Sequence, residues 1–262
     1  MSIDYISDLH LNYHLHTKSH IDLLTKLIDF NNISDILIIA GDIGDDNKQN
    51  FSVLKFLSSF YKNIIITLGN HEYYSENSIS RIIDFKSMIN KEKNIHLLDG
   101  NIVKINGIRF GGAMGWYDGT YIMKYFNKYY TQNITKINIK WKNIMSFDRK
   151  NISHITNFYT LFEQELPKIE SIYQKADVMI THINPSNLRE HQNPEYINEY
   201  STGFFCFDGL KYLEKTTAKF WIFGHTHAKV DYEYNNTKVL SNPLGYPNEN
   251  FSFKMHHFNY VI

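Results

Sequence analysis

Five short, largely apolar runs in this chain end in the same way. Ile3–Ile6 leads into Ser7-Asp8-Leu9-His10, Ile36–Ala40 into Gly41-Asp42, and Ile64–Leu68 into Gly69-Asn70-His71-Glu72. Val178–Thr181 leads into His182, and Phe220–Phe223 into Gly224-His225-Thr226-His227. Runs of this length, rich in β-branched residues, mark strands covered on both faces. A chain built on them needs layers on either side of a sheet.

Helical spacing fills the intervals. Leu23, Leu24, Leu27, Ile28 and Phe30 make one apolar stripe, and Ser75 is placed to cap a helix carrying Ile79, Ile82 and Ile83. Ile152, Ile155, Tyr159, Phe162, Leu166, Ile169 and Tyr173 predict a long core-facing helix that Pro167 should kink or divide. Strand–helix alternation in the first part of the chain predicts βαβ units and a substantially parallel sheet. Thr237–Leu240 and Phe251–Phe258 read as strands with no helix between them, so that end is expected to be antiparallel. No linker composition and no internal repeat divides the chain, so residues 1–262 read as a single domain. Residues 116–149, rich in Tyr, Trp, Lys and Asn with weak periodicity, read as an insertion on it.

Composition narrows the class. Lys+Arg and Asp+Glu both number 27 in 262 residues, so the chain lacks the basic field of a general nucleic-acid binder. With 43% hydrophobic residues it has enough apolar material for a sizeable core. Cys206 is the lone cysteine, which excludes an intrachain disulfide and thiolate-rich zinc sites. No apolar stretch is long enough to span a bilayer, and the N-terminus shows no signal-peptide pattern, so the expected location is cytoplasmic.

Ligands of open α/β sheets bind at the carboxyl ends of the strands. There the five runs would gather Asp8, His10, Asp42, Asn70, His71, His182, His225 and His227. Oxygen and imidazole donors without thiolate suit Mn, Fe or Zn, and eight side chains exceed the needs of one tetrahedral site. Two divalent transition-metal ions are the economical reading. Such a pair can clamp the attacking and leaving oxygens of an in-line displacement, which suits hydrolysis of a phosphate ester.

Taken in order, Asp8-x-His10, Gly41-Asp42, Gly69-Asn70-His71-Glu72, His182 and Gly224-His225-x-His227 resemble the motif set of the calcineurin-like metallophosphoesterases. The match runs from residue 4 to about residue 247. Thr181-His182-x-x-Pro185-Ser186 and Ser241-Asn242-Pro243-x-Gly245-Tyr246 are similar to a group of compact bacterial members. The resemblance implies an α/β fold of four layers, α/β/β/α, with two central mixed sheets, flanking helices and a dimetal site at the sheet edge. It implies Asp8, His10 and His227 on one metal, Asn70, His182 and His225 on the other, and Asp42 between them. It further implies a metal-activated hydroxide as nucleophile and His71 as general acid toward the leaving group, oriented by Asp45, with Asp46 a nearby competitor for that role.

Each motif has a plainer reading alone. Gly41-Asp42 is a turn, and His225 and His227 would share one face of a strand. Glu72 reads as a local cap or ion pair, His14, His16 and His20 as exposed loop residues, and His256 and His257 as part of a terminal strand. The expected substrate is a small phosphomonoester or phosphodiester, with no membrane partner and no stable nucleic-acid binding. The segment after Asp45 lacks the Arg of protein Ser/Thr phosphatases, and the chain ends shortly after Tyr246, without the DNA-capping domain of the repair nucleases. A phosphoprotein phosphatase or nuclease using the same site, and a non-catalytic scaffold, are the alternatives. Trp116, Tyr117, Tyr121, Lys124, Tyr125, Tyr129 and Tyr130 would either cover the metals and set substrate choice or pack the insertion onto the body.

Overall fold

The computed structural model describes residues 1–14, 19–126, 134–250 and 252–261. Strands β1 (Ser2–Ile6), β2 (Ile36–Ala40), β3 (Asn63–Thr67) and β4 (Ile95–Leu98) run parallel. Helices α1 (His20–Leu27), α2 (Asn47–Leu57) and α3 (Ser78–Ile89) connect them, as the strand–helix alternation predicts. Strand β11 (His256–Asn259) closes this sheet antiparallel to β1 and carries His256 and His257. The second sheet has the order β5 (Asn101–Ile105), β6 (Ile108–Gly112), β7 (Val178–Ile180), β8 (Phe220–Phe223), β10 (Thr237–Ser241), β9 (Tyr232–Tyr234). Its four central strands are parallel and its two edges antiparallel, so β10 is parallel to β8 and antiparallel only to β9.

The two mixed sheets face each other, with helices outside, in four layers. Alternation along β2 shows how: Ile36, Ile38 and Ala40 join Ile222, Phe110 and Val178 between the sheets, while Leu37 and Ile39 enter the core beneath the helices. Because both faces are apolar, hydrophobic patterning alone does not select the register of this strand. The polar turns at its end do. Asp8 N–H donates to the Gly41 carbonyl (3.1 Å) and His10 N–H to the Asp42 carbonyl (3.1 Å), pinning the β1 and β2 ends together.

Several local expectations are corrected. Asn77, not Ser75, caps α3 by accepting from Ser80 N–H, which turns Ile82, Phe85 and Ile89 inward and leaves Ile79 and Ile83 exposed. The long periodic stripe is two pieces: Ile152 and Ile155 pack from a loop, and helix α7 (Tyr159–Ile172) begins only afterwards. Pro167 sits inside α7 without dividing it. It shares the exposed face with Glu163, so the carbonyl it cannot serve meets solvent. The β5–β6 hairpin escaped the sequence pattern because its edge strand β5 is only partly buried. Its turn, Asn106-Gly107, has both residues at positive φ, as a tight two-residue hairpin requires.

Residues 116–126 and 134–151 form α4 (Thr120–Tyr125), α5 (Ile134–Ile144) and α6 (Ser146–Asn151). Trp116, Tyr117, Tyr121, Ile137 and Trp141 are fully buried there, and the positions of Tyr129 and Tyr130 lie outside the described residues. Among the described residues, no helix is long and apolar enough to cross a membrane.

Candidate metal centre and active site

The carboxyl ends of β1, β2 and β3 in one sheet and of β7 and β8 in the other meet along one edge. Each strand stops two to four residues before a polar side chain that turns into this edge. Asp8 and His10 follow β1, Asp42 follows β2, Asn70 and His71 follow β3, His182 follows β7, and His225 and His227 follow β8. Asp8, His10, Asp42, His225 and His227 all adopt left-handed backbone, with φ of 52°, 43°, 57°, 67° and 48°. For residues with a Cβ this conformation costs roughly 1–3 kcal/mol each and persists only where the surroundings impose it. His225 and His227 therefore lie in a strained loop, not on one face of a strand.

Two glycines make the crowding possible. A Cβ on Gly69 would lie 2.1 Å from Asp42 Oδ1, and one on Gly224 would lie 2.6 Å from Asp8 Oδ2. The carboxylates occupy the space that side chains would fill.

Ring orientation is set from behind. His182 Nδ1–H donates to the Ala40 carbonyl (2.8 Å), His225 Nε2–H to the Phe204 carbonyl (3.1 Å), and His227 Nδ1–H to Glu249 Oε2 (2.8 Å). With one ring nitrogen fixed as a donor, the other is the one free to meet a metal; His182, held protonated beside the Asp42 carboxylate, would shed its Nε2 proton on taking one up. His182 Nε2 lies 3.0 Å from Asn70 Oδ1 and 3.3 Å from Asp42 Oδ2, and His10 Nε2 lies 2.8 Å from His227 Nε2. Asp8, His10 and His227 offer donor atoms within 4.8 Å of one another, as do Asp42, His182 and His225. Asp42 Oδ2 is buried with no hydrogen-bond partner, although it faces His10, His71 and His182. A buried, unpartnered carboxylate oxygen is costly unless a cation sits against it.

The electrostatics agree. Burial pushes the Asp8 carboxyl upward, and the neighbouring Asp42 adds to it. For Asp42 burial acts in the same sense, but the imidazoles of His182 and His71 overcome it and hold the carboxyl well below the usual range. Burial, aided by neighbouring imidazoles, pushes His10 and His225 well below the ordinary histidine value, so both offer neutral lone pairs. Against burial, the Asp42 carboxylate raises His182 to about 10 and, with Asp45, raises His71. Two buried carboxylates here call for positive charge.

His71 also offers a donor atom within 4.8 Å of His10 and Asp42, but its other ring nitrogen is tied to a carboxylate. Its Nδ1–H donates to Asp45 Oδ1 at 2.6 Å, and its Nε2 faces the cleft. Asp46 is occupied elsewhere, capping α2 by accepting from Gln49 N–H (2.8 Å). Glu72 does more than a local cap: its carboxylate accepts from the N–H groups of Gly69 (2.7 Å), Asp42 (3.0 Å) and Ile43 (2.8 Å), tying the β2 and β3 turns together.

The chain belongs to the calcineurin-like phosphoesterase family. The family pattern matches residues 1–229. The chain is 30% identical over 276 aligned positions to the uncharacterized protein L509 of Acanthamoeba polyphaga mimivirus, covering 95% of this chain and 92% of that protein. A shorter stretch of 72 residues is 40% identical to the symmetrical bis(5′-nucleosyl)-tetraphosphatase of Buchnera aphidicola, covering 28% of this chain and 24% of that enzyme. Among solved structures, the phosphopantetheinyl hydrolase PptH of Mycobacterium tuberculosis superposes with a TM-score of 0.74 at 16% identity, over 98% of this chain and 95% of that one. At that identity the likeness is one of fold.

Beyond the family motifs stand residues that sequence reasoning missed. Asn70 Nδ2 donates to Asp148 Oδ1 (3.0 Å) and to the Tyr74 hydroxyl (2.8 Å). Asp148 also accepts from Tyr74 (2.6 Å) and from Tyr117 (2.7 Å), whose oxygen accepts from Trp141 Nε1–H (2.7 Å). This buried network leaves Asn70 Oδ1 aimed at the metal-candidate side. It also decides between the two readings of Trp116 and Tyr117 in favour of packing: both are buried, and Tyr117 acts on Asp148 from behind. Of the described residues in 116–149, Ile144, Met145, Phe147 and Asp148 line the cleft. His14 is only partly buried, and its Nε2–H donates to the Gly245 carbonyl (3.0 Å). His20 opens α1, and His16 lies outside the described residues.

Proposed function

We propose that this protein is a dimetal-dependent hydrolase of small phosphomonoesters or phosphodiesters. The supporting observation is Asp42 Oδ2, buried, without a hydrogen-bond partner, and faced by imidazole nitrogens of His10, His71 and His182. Asp8, His10 and His227 would hold one divalent ion and Asn70, His182 and His225 the other, with Asp42 available to both. A carboxylate shared between two cations offsets their repulsion, and the neutral amide of Asn70 limits the negative charge of the set. Two transition-metal ions of the Mn, Fe or Zn type, bound there, supply the charge that activates water and stabilises the phosphoryl oxygens.

The chain's own residues do the rest. His71, with Nδ1 fixed on Asp45, presents Nε2 to a cleft of about 200 Å³ beside the ligand candidates. From there it acts as general acid toward the leaving oxygen. Phe147, Ile144 and Phe205 give the cleft an apolar wall, and no Lys or Arg lines it among the described residues. That wall fits a small ester with an apolar or aromatic arm better than a nucleic-acid backbone, whose binding depends on cationic contacts. The balanced net charge agrees with a protein that works in solution on such esters, in the cytoplasm.

The test is hydrolysis of bis(p-nitrophenyl) phosphate and p-nitrophenyl phosphate by protein stripped of metal and reloaded with Mn, Zn, Fe or Ni, with bound metal measured. Turnover is expected only with metal, near two ions per chain, and the ratio of the two rates separates diesterase from monoesterase. A protein that binds no divalent metal under these conditions overturns the reading.

A further inference from the structure

The phenol of Tyr246 lies where a leaving group would have to be met. Its oxygen is 3.2 Å from His71 Nε2, and among the described residues this is its one hydrogen bond. Since His71 Nδ1 is spent on Asp45, Nε2 is the only nitrogen with which His71 can reach the cleft, and Tyr246 stands at it. Both residues line the same cavity as Asp42 and Asn70.

The position is built from several directions. Leu244 N–H donates to the Ser7 carbonyl (3.0 Å) and Gly245 N–H to the Asp8 carbonyl (2.9 Å), fastening the loop to the turn after β1. Tyr246 N–H donates to Glu249 Oε2 (2.7 Å), the same oxygen that receives His227 Nδ1–H. Gly245 has a φ of +76°, and a Cβ there would fall 2.6 Å from that oxygen, so the turn admits no larger residue without strain. The Tyr246 ring packs against His10 (centroids 4.5 Å apart, planes at 31°) and edge-on against Tyr13 (5.0 Å). A side chain held this firmly is preorganised, as a reacting group must be.

We propose that Tyr246 is a catalytic residue that passes the proton of His71 Nε2–H to the leaving-group oxygen; this rests on the phosphoesterase reading of the site. A phenol accepts one hydrogen bond from His71 and still has its own O–H to give. As the bond between phosphorus and the leaving oxygen breaks, its electron pair goes to that oxygen. The oxygen takes the phenolic proton, the phenol oxygen takes the proton of His71 Nε2, and His71 is left neutral with Nδ1–H on Asp45. Water supplies the oxygen that replaces the leaving group on phosphorus, and the proton it sheds returns through solvent to His71 Nε2. Tyr246 ends as it began.

The experiment uses Tyr246→Phe, which keeps the ring and its packing. Hydrolysis is followed on metal-loaded protein for a series of esters from p-nitrophenyl through phenyl to alkyl. The expected result is a fall in kcat of about 10²-fold for alkyl leaving groups, shrinking toward none for p-nitrophenolate, which needs no proton. Bound metal should be unchanged, and Tyr246→Phe added to His71→Ala should cost nothing further, because the two act in one relay. A second readout is independent of turnover: in protein labelled with ¹⁵N-histidine, the Nε2 resonance of His71 should shift in Tyr246→Phe while that of His225 does not. An equal slowing of all esters, or wild-type rates with alkyl esters, overturns the relay and leaves Tyr246 as packing. Wild-type protein that hydrolyses none of the esters with metal bound overturns the phosphoesterase reading itself, and the relay with it.

Discussion

The two sides of the cleft are held by opposite means. On one side the turns after β1, β2 and β8 put Asp8, His10, Asp42, His225 and His227 into left-handed backbone, so the main chain itself aims the side chains. On the other, Asn70 has an ordinary helical backbone, with φ of −68°, and its amide is aimed by Asp148, 78 residues away in sequence, with help from Tyr74 and Tyr117. Strain costs stability wherever it occurs, whereas a satisfied polar network can be nearly neutral in stability and still choose one orientation. The first side is therefore sensitive to backbone change, the second to loss of a single distant group.

The largest effects are expected on the strained side. Asp42→Asn should abolish metal binding and hydrolysis together while the fold survives, because the cores on either side of its strand are untouched. Gly69→Ala should reach the same end by another route. The new Cβ would fall 2.1 Å from Asp42 Oδ1 and 2.7 Å from Asp42 N, so the turn must move. Metal analysis alongside thermal unfolding separates the two: only the glycine variant should also lose several degrees in Tm. Metal retained by Asp42→Asn at the wild-type level would break the comparison at its root.

Next in size is His71→Ala. His71 belongs to neither ligand group in its proposed role, so metal content should stay constant while kcat falls by about 10²–10⁴-fold on alkyl esters. Steady-state kinetics with metal analysis on the same preparation checks it. Loss of metal in this variant would place His71 among the ligands, consistent with its Nε2 lying 3.9 Å from Asp42 Oδ2.

The same division decides what could be read from the sequence. A strand followed at once by Gly-Asp, Gly-Asn-His or Gly-His-x-His is a local pattern, because residue types and the turn that aims them sit side by side in the chain. The polar side chains gathered at the sheet edge and the parallel strands were legible for that reason, and the four layers only through the family resemblance that these motifs carry. Asp148 was not, since nothing in Ser146–Asn151 distinguishes an inward carboxylate from a solvated one until Asn70 is packed against it. The role of Tyr117 stayed open for a related cause: an aromatic beside a site has the same sequence signature whether it faces substrate or supports a ligand from behind. Ser75 and the stripe from Ile152 failed more simply, because apolar spacing does not reveal where a helix starts when a loop residue can fill the same core.

Asp148→Asn sharpens the comparison on the networked side. The substitution keeps the shape but turns one acceptor oxygen into a donor, so Asn70, Tyr74 and Tyr117 no longer all find acceptors and the Asn70 amide is held less firmly. Metal affinity should fall by about 10–100-fold, the range for losing the partner that orients a ligand. Isothermal titration with Mn or Zn measures it. Tyr117→Phe removes one of the three donors to Asp148 and should give a smaller loss in the same direction. If Asp148→Asn binds metal as the wild type does, the network is structural only.

The smallest effect is expected at Glu249, where both means of support meet. Its Oε2 receives His227 Nδ1–H and Tyr246 N–H, so on distance alone it resembles Asp148. Its side chain, however, is 41% exposed, whereas Asp148 is buried. Water can take over the acceptor role there, and a partly solvated ion pair is worth little. His227 also has a backbone φ of 48°, so the turn fixes where its side chain starts even when Glu249 is changed. Glu249→Gln keeps an acceptor oxygen for His227 and should weaken metal binding by only about threefold, below the range for buried partners. Titration of the two variants under one buffer makes the contrast direct. A loss in Glu249→Gln as large as that in Asp148→Asn would mean that the strained turn does not hold His227 unaided, and that the side chains behind both halves of the site carry equal weight.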